Sequence, residues 1–213
     1  LRGSKIIIVD DSPAKENFKL KSIVKKYKNV FLISRQKKLG RGSAVLEGFV
    51  RAIKNKSIKY VFEMDSDLAH DSKEMARFIK NEEKTKSDLI IGSRYLPGGK
   101  IINISSNRTI MSRVINKFLY FWLGMHLTDH TSGFRFYNRA SVKYLLSIKI
   151  KSKGFITLSE VAYKLYLANF KISEVPITWN YRIYGKSNVN TSELINSLFF
   201  VYNIMFAASK QAS

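Results

Sequence analysis

Asp65 and Asp67 are the residues of this sequence best suited to do chemistry. They stand one residue apart at the end of a β-type run, Tyr60-Val61-Phe62-Glu63-Met64. Side chains on a strand alternate with period two, so both carboxylates are expected on one side. Where a chain leaves its sheet, such a pair can hold a hard divalent cation and leave positions open for a ligand. Mg²⁺ takes one or two carboxylates, several waters and substrate phosphates. Asp and Ser are also common in turns, so a capped turn is the plainer reading of the same residues. The surroundings bear on the choice.

Several elements must position this pair. Lys5–Val9 is a β-branched run that reads as a strand buried on both faces, and it ends in Asp10-Asp11-Ser12-Pro13. A helix is expected over 14–27, a strand over 29–33, and a helix over 44–53. Before that last helix lies Lys37-Lys38-Leu39-Gly40-Arg41-Gly42-Ser43, where glycines and basic residues at a helix N-terminus suit a phosphate. The dinucleotide fingerprint G-x-G-x-x-G fails in its spacing after Gly42, which argues against NAD. A helix over 72–80 and a strand over 88–91 follow, the strand running into Gly92-Ser93-Arg94. Alternating strands and helices predict an α/β domain with a largely parallel central sheet flanked by helices. Ligands of such sheets bind at the carboxyl ends of the strands. Asp10/Asp11, Asp65/Asp67 and Arg94 are all expected at that edge.

Composition narrows the function classes. A hydrophobic content of 45% in 213 residues supports a real core. The absence of cysteine excludes disulfides, a thiol nucleophile and Cys-type zinc sites. A net charge of +21 points to an anionic partner: nucleic acid, anionic lipid or phosphorylated substrate. The nucleic-acid reading lacks an aromatic stacking motif, zinc spacing or an evident recognition helix.

The motifs VDDSP, KKLGRGSA, MDSDLAH, GSRY with GG, and DHTSGFR stand in a familiar order. So do Gly154-Phe155 with Glu160, EVPI from Glu174 to Ile177, and R-x-x-G-x-S at Arg182, Gly185 and Ser187. Together they resemble the family-2 glycosyltransferases of GT-A fold, nearest to the branch of dolichol-phosphate mannose synthases and other polyprenyl-phosphate glycosyltransferases. The likeness runs to about Ser187. It implies that Asp10, Asp11 and Gly40 lie on the nucleotide side, and that Asp65 and Asp67 hold Mg²⁺ or Mn²⁺ against a diphosphate. It also implies that Arg94, Arg108, Ser112 and Arg182 grip phosphates. Arg135, within TSGFR, would lie at the acceptor site, with Asp129 beside it as a supporting carboxylate or a base.

The resemblance has departures. Ala69 stands where relatives carry Gln or Ser, a possible further metal contact. Asn188 replaces a later Lys, with Lys186 nearby, and a usual Trp before the Arg108 region is missing. Relatives begin with a strand and a P-x-Y-N-E-type turn, whereas here Leu1-Arg2-Gly3-Ser4 lead straight into the VDD strand. A gap or groove is therefore expected beside Lys5–Val9. Residues 1–188 are expected to form the catalytic domain. Residues 189–213, including the apolar run Leu194–Ala208, are expected to form a helix that is core, membrane-interface element or the start of an anchor. Val114–Met125 is likewise a core helix or an interfacial one.

The resemblance implies transfer of mannose from GDP-mannose to a polyprenyl or dolichyl phosphate, at the cytoplasmic face of an anionic membrane and without nucleic acid as partner. UDP-glucose is the alternative donor. A basic nucleic-acid-binding protein and a non-catalytic sugar-nucleotide-binding relative are the rival classes.

Overall fold

The computed structural model describes residues 3–152 and 154–181. The chain begins with β1 (Ile6–Asp10), α1 (Ala14–Val24), β2 (Val30–Ser34) and α2 (Arg41–Ile53). Then come β3 (Tyr60–Glu63), a 3-10 turn over Ser72–Glu74, α3 (Met75–Thr85), β4 (Leu89–Ser93) and β5 (Lys100–Ile102). The second half holds α4 (Ser106–Leu123), β6 (Arg135–Asn138), α5 (Arg139–Ser147), α6 (Thr157–Leu167), β7 (Ile172–Pro176) and β8 (Thr178–Asn180). The strand-helix alternation read from the sequence is present, with shifts of a few residues at the ends.

The central sheet has the order β3-β6-β4-β7. β4 and β7 are parallel, and so are the pairs β1–β2 and β5–β8, while β6 runs antiparallel to both its neighbours. Period-two alternation sorts the central strands onto two cores. Val61, Leu89, Ile91 and Tyr137 face a core shared with α2, α5 and α6. Phe62, Ile90, Phe134 and Phe136 face a second core around Phe78 of α3. β4 is buried along its whole length, as a continuous apolar run in the middle of a sheet should be.

Among the described residues β1 pairs only with β2, and β3 only with β6. Among the described residues no strand joins β1 to β3. Helix α2 packs on both β1 and β3. It also packs on α5 and α6, and against α6 the fit is tight: a Cβ on Gly42 would lie 2.4 Å from Thr157 Cγ2. Leu194–Ala208 and Arg182 lie outside the described residues, as do the other residues beyond Tyr181.

The Gly42 contact gives a stability test. Gly42→Ala is expected to cost about 1–3 kcal/mol, the range for overpacking. Combining it with Thr157→Ala, which removes the nearest atoms, should recover most of that loss in urea denaturation. An additive double variant would show that the two helices do not meet through these residues.

Candidate active site

The two carboxylates do not sit on a strand. β3 ends at Glu63, and residues 64–69 form a bend in which Leu68 takes a left-handed φ of 64°. Asp67 Oδ1 accepts the Ala69 N–H at 3.1 Å, closing a local turn. The period-two argument for Asp65 and Asp67 is therefore corrected: side-chain-to-backbone bonding, not strand alternation, orients Asp67. The bend is fixed to β8 by the Asn180 N–H bonded to the Ala69 carbonyl. His70, at the end of the bend, stacks on Phe134. Its Nδ1 accepts the Asp65 N–H at 3.4 Å. Burial holds the His70 pKa below its ordinary value, so the ring is neutral at neutral pH.

Arg41, read from the sequence only as part of a phosphate-suited loop, lies against Asp65. It is the first residue of α2, and the turn before it is made by Gly40 at φ 88°, a conformation that favours glycine. Its guanidinium contacts Asp65 Oδ1 through Nε and Nη2, both at 3.2 Å, and Glu63 Oε1 through Nη1 at 2.6 Å. Tyr137 donates to the other Glu63 oxygen at 2.8 Å. Burial opposes the charge on Arg41, but Glu63 and Asp65 outweigh it and raise the pKa. Gly133 of the TSGFR motif makes room for this group. A Cβ there would lie 2.5 Å from Arg41 Nη2 and 2.9 Å from Asp65 Oδ2.

Arg94 follows β4 and forms a two-pronged pair with Asp129, Nε to Oδ2 at 2.7 Å and Nη2 to Oδ1 at 2.8 Å. Nη2 also donates to Thr131 Oγ1 at 2.7 Å. The cation lies over the rings of Tyr95 and Trp179. Glu174 of the EVPI motif holds the partner loop by accepting the N–H groups of Thr128 and Asp129 at 2.8 and 2.9 Å. Asn116 of α4 steadies the same loop by accepting the His130 N–H at 2.7 Å.

Arg135 requires a correction. It was expected to meet the acceptor, with Asp129 orienting it. Instead its residue is 0% exposed. Its guanidinium donates to three backbone carbonyls: Ser132 at 2.9 Å, Leu158 at 2.7 Å and His130 at 3.0 Å. Asp129, also 0% exposed, is spent on Arg94. Arg135 stitches the TSGFR loop to α6; burial in the interior excludes it from a phosphate in this conformation. Asp129 is buried against Arg94 rather than open toward a substrate. Complete burial works against its charge, but Arg94 outweighs this and keeps the carboxyl below its ordinary 3.8.

The remaining candidates have partners of their own. Asp10 accepts from Ser12 Oγ and Asn17 Nδ2, both at 2.6 Å; burial opposes its charge, yet these bonds lower its pKa. Both Asp11 oxygens accept from Arg35, whose Nη1 reaches Ser43 Oγ of α2 at 2.9 Å. The first turn of α2 therefore joins the Asp10/Asp11 loop to the Asp65 bend. Arg108 near the start of α4 donates to the Tyr181 hydroxyl, and Ser112 Oγ accepts from Tyr95 at 2.6 Å.

His70 accepts the Asp65 N–H, and the charges of Asp65, Asp67, Arg41 and Arg94 all bear on its ring. Asp65 and Asp67 offer hard oxygen donors, and the Asp65 side chain is 34% exposed. Among the described residues no cluster of three or more Asp, Glu, His or Cys forms a closed metal site. Two carboxylates with water and phosphate completing the shell fit Mg²⁺ or Mn²⁺.

The sequence profile of glycosyl transferase family 2 matches residues 3–146. The chain belongs to glycosyl transferase family 2. It is 31% identical over 172 residues to polyprenol monophosphomannose synthase of Mycolicibacterium smegmatis, covering 81% of this chain and 64% of that protein. It is 31% identical over 162 residues to undecaprenyl-phosphate mannosyltransferase of Micrococcus luteus, covering 76% of this chain and 65% of that one. The chain thus spans just under two thirds of the length of these relatives. Among solved structures it resembles glucosyl-3-phosphoglycerate synthase from Mycobacterium tuberculosis in complex with Mn²⁺, uridine diphosphate and glucosyl-3-phosphoglycerate. That likeness has a TM-score of 0.60 at 16% identity and covers 95% of this chain and 68% of the other. It bears out the GT-A fold.

Within this family-2 domain, Arg41, Glu63, His70, Glu174 and Trp179 are the site neighbours that motif reading did not assign. A basic residue opening a glycine-led helix was a usable signal for Arg41. Nothing in the spacing of Trp179 pointed to Arg94.

The Arg94–Asp129 pair carries a pH signature. A carboxyl whose native pKa is depressed stabilises the fold fully above its unfolded value, and the gain is lost as pH falls through the native value. Asp129→Asn is expected to lower stability by about 3–5 kcal/mol at neutral pH, since it strands a buried cation. It should also flatten the acid limb below about pH 4 in urea denaturation. An unchanged acid limb would refute the assignment.

Proposed function

We propose that this chain carries the catalytic domain of a metal-dependent polyprenyl-phosphate mannosyltransferase, with residues 1–188 as the GT-A domain and 189–213 as a membrane-interface element. Mannose passes from GDP-mannose to a polyprenyl or dolichyl phosphate at the cytoplasmic face of an anionic membrane. An acceptor phosphate oxygen bonds to the anomeric carbon, and the bond from that carbon to the donor phosphate breaks, GDP leaving with the electron pair. The observation that carries the reading is Asp65 and Asp67 in one bend, with Arg41 in contact with Asp65 and His70 accepting the Asp65 N–H. It supports a centre for a diphosphate, in a chain similar to two enzymes named for mannose and a polyprenyl carrier. Bound at Asp65 and Asp67, a divalent cation would neutralise the departing diphosphate.

The state of Asp129 supports a phosphate acceptor. A sugar hydroxyl needs a base worth roughly 10²–10⁴-fold, and the carboxylate nearest that role by position is buried and paired. A phosphate monoester, with a second pKa of about 6, is already largely anionic at neutral pH.

An open groove of about 510 Å³ supports the lipid side of the reading. Tyr95, Tyr120 and Phe121 supply apolar wall, while Arg113, Lys117 and Asn116 supply charge and hydrogen bonds. This mixture suits a phosphate joined to a hydrocarbon chain. Along the same helix α4, Ile110, Val114, Phe118 and Phe121 recur at helical spacing and are exposed, Phe121 to 71%. Core burial thus holds only for its Leu119 and Leu123 side. An apolar face beside basic residues suits an interfacial helix at an anionic membrane, each nearby cation adding about 1 kcal/mol. Among the described residues no helix is long and apolar enough to cross a membrane.

The test is a transfer assay with Mn²⁺, a short polyprenyl phosphate and either GDP-mannose or UDP-glucose. The expected product is the mannosyl lipid, and Asp67→Asn should abolish metal-dependent GDP binding in calorimetry with the fold intact. Transfer only to a free glycoside would overturn the acceptor. Product from UDP-glucose alone would overturn the donor. Donor binding without any transfer would favour a non-catalytic relative, and salt-dependent DNA retention without lipid binding would favour the nucleic-acid class.

A further inference from the structure

Arg41 is a permanent cation set directly against the carboxylate proposed to bind metal, and nothing about its position is accidental to the fold. Its guanidinium shares Asp65 Oδ1 between Nε and Nη2 and is anchored on the other side by the buried Glu63. Glu63 in turn is held by Tyr137. Gly133 leaves the space that the guanidinium and Asp65 fill, so any larger residue would displace one of them. Guanidinium charge cannot be titrated away in a protein.

We infer that Arg41 is a positioning residue that sets the order of loading, disfavouring a divalent cation at Asp65 and Asp67 until an anionic diphosphate is present. The inference rests on the reading of that pair as a metal site. Two like charges a few ångströms apart near a protein surface repel by several kcal/mol, and with the Glu63 carboxylate offsetting part of the Arg41 charge the remainder shifts an affinity by about tenfold. The same charge attracts a diphosphate before any metal arrives. Arg41 thus acts with opposite sign on the two ligands. A merely structural arginine would not do so, because its loss would weaken both.

The experiment measures Mn²⁺ binding by electron paramagnetic resonance and GDP binding by calorimetry, each ligand alone, on wild type, Arg41→Gln and Arg41→Lys. Circular dichroism reports the fold, and Arg41→Met serves as the neutral variant if the glutamine substitution unfolds the chain. The neutral variant is expected to bind Mn²⁺ alone about tenfold more tightly than wild type and GDP alone about tenfold more weakly. Arg41→Lys, which keeps the charge, should stay near wild type on both. A folded neutral variant that binds Mn²⁺ no better than wild type overturns the inference, and so does a lysine variant that behaves like glutamine. Wild type that binds neither Mn²⁺ nor GDP, even together, overturns the functional reading itself. Wild type that binds both, without the split in sign, overturns the role of Arg41 alone.

Discussion

The buried pair of Arg94 and Asp129 is the constraint on which the centre of this fold depends. Taking two charges out of water is costly, and the structure offsets that cost only by satisfying every side of the pair. Arg94 spans both Asp129 oxygens and reaches Thr131, with two aromatic rings against its face. Glu174 fixes the loop from below through two backbone N–H groups, and burial pushes its own pKa up. Ser93 and Thr128 close the arrangement with a hydroxyl contact of 2.6 Å. β4, β7, α4 and the TSGFR loop thereby meet at one point. The D-x-D bend joins them through β8, whose Trp179 lies over Arg94.

The arginines divide into two kinds. Arg135 and Arg139 are internal clamps that donate to backbone carbonyls at loop and helix ends. A planar fork with five donors suits that task as well as it suits a phosphate. Arg41 and Arg94 instead pair with carboxylates, Arg41 with Glu63 and Asp65 and Arg94 with Asp129. Positive charge near the centre thus answers two separate physical demands, backbone carbonyls in one case and buried carboxylates in the other.

Helix α4 combines the two faces of the proposed chemistry. Its inner side supplies Asn116 to the Asp129 loop and Leu119 and Leu123 to the core. Its outer side is apolar and exposed, with Arg113 and Lys117 beside the groove. One rigid helix therefore connects the surface suited to a lipid with the loop that holds Arg94 in place.

The sequence by itself determined the alternation of strands and helices, because β-branched runs such as Lys5–Val9 and Asp88–Ile91 have few other places to go. It also determined the family, because many weak motifs in a fixed order are jointly specific. It located the acidic strand ends correctly, since Asp10 closes β1 while Asp11 and the Asp65 bend follow strands. Only the tertiary structure decided which charges face each other. Asp129 pairs with Arg94, 35 residues away, and not with Arg135, six residues on. Local spacing carries no information about that choice, because it depends on where β4 and the TSGFR loop meet in space. Likewise the Asp67 side chain is oriented by a turn bond and a left-handed Leu68, which period-two counting cannot foresee. The place of Arg41 against Asp65 was invisible for the same reason: α2 and β3 bring it there, and the burial that makes its charge matter exists only in the folded chain.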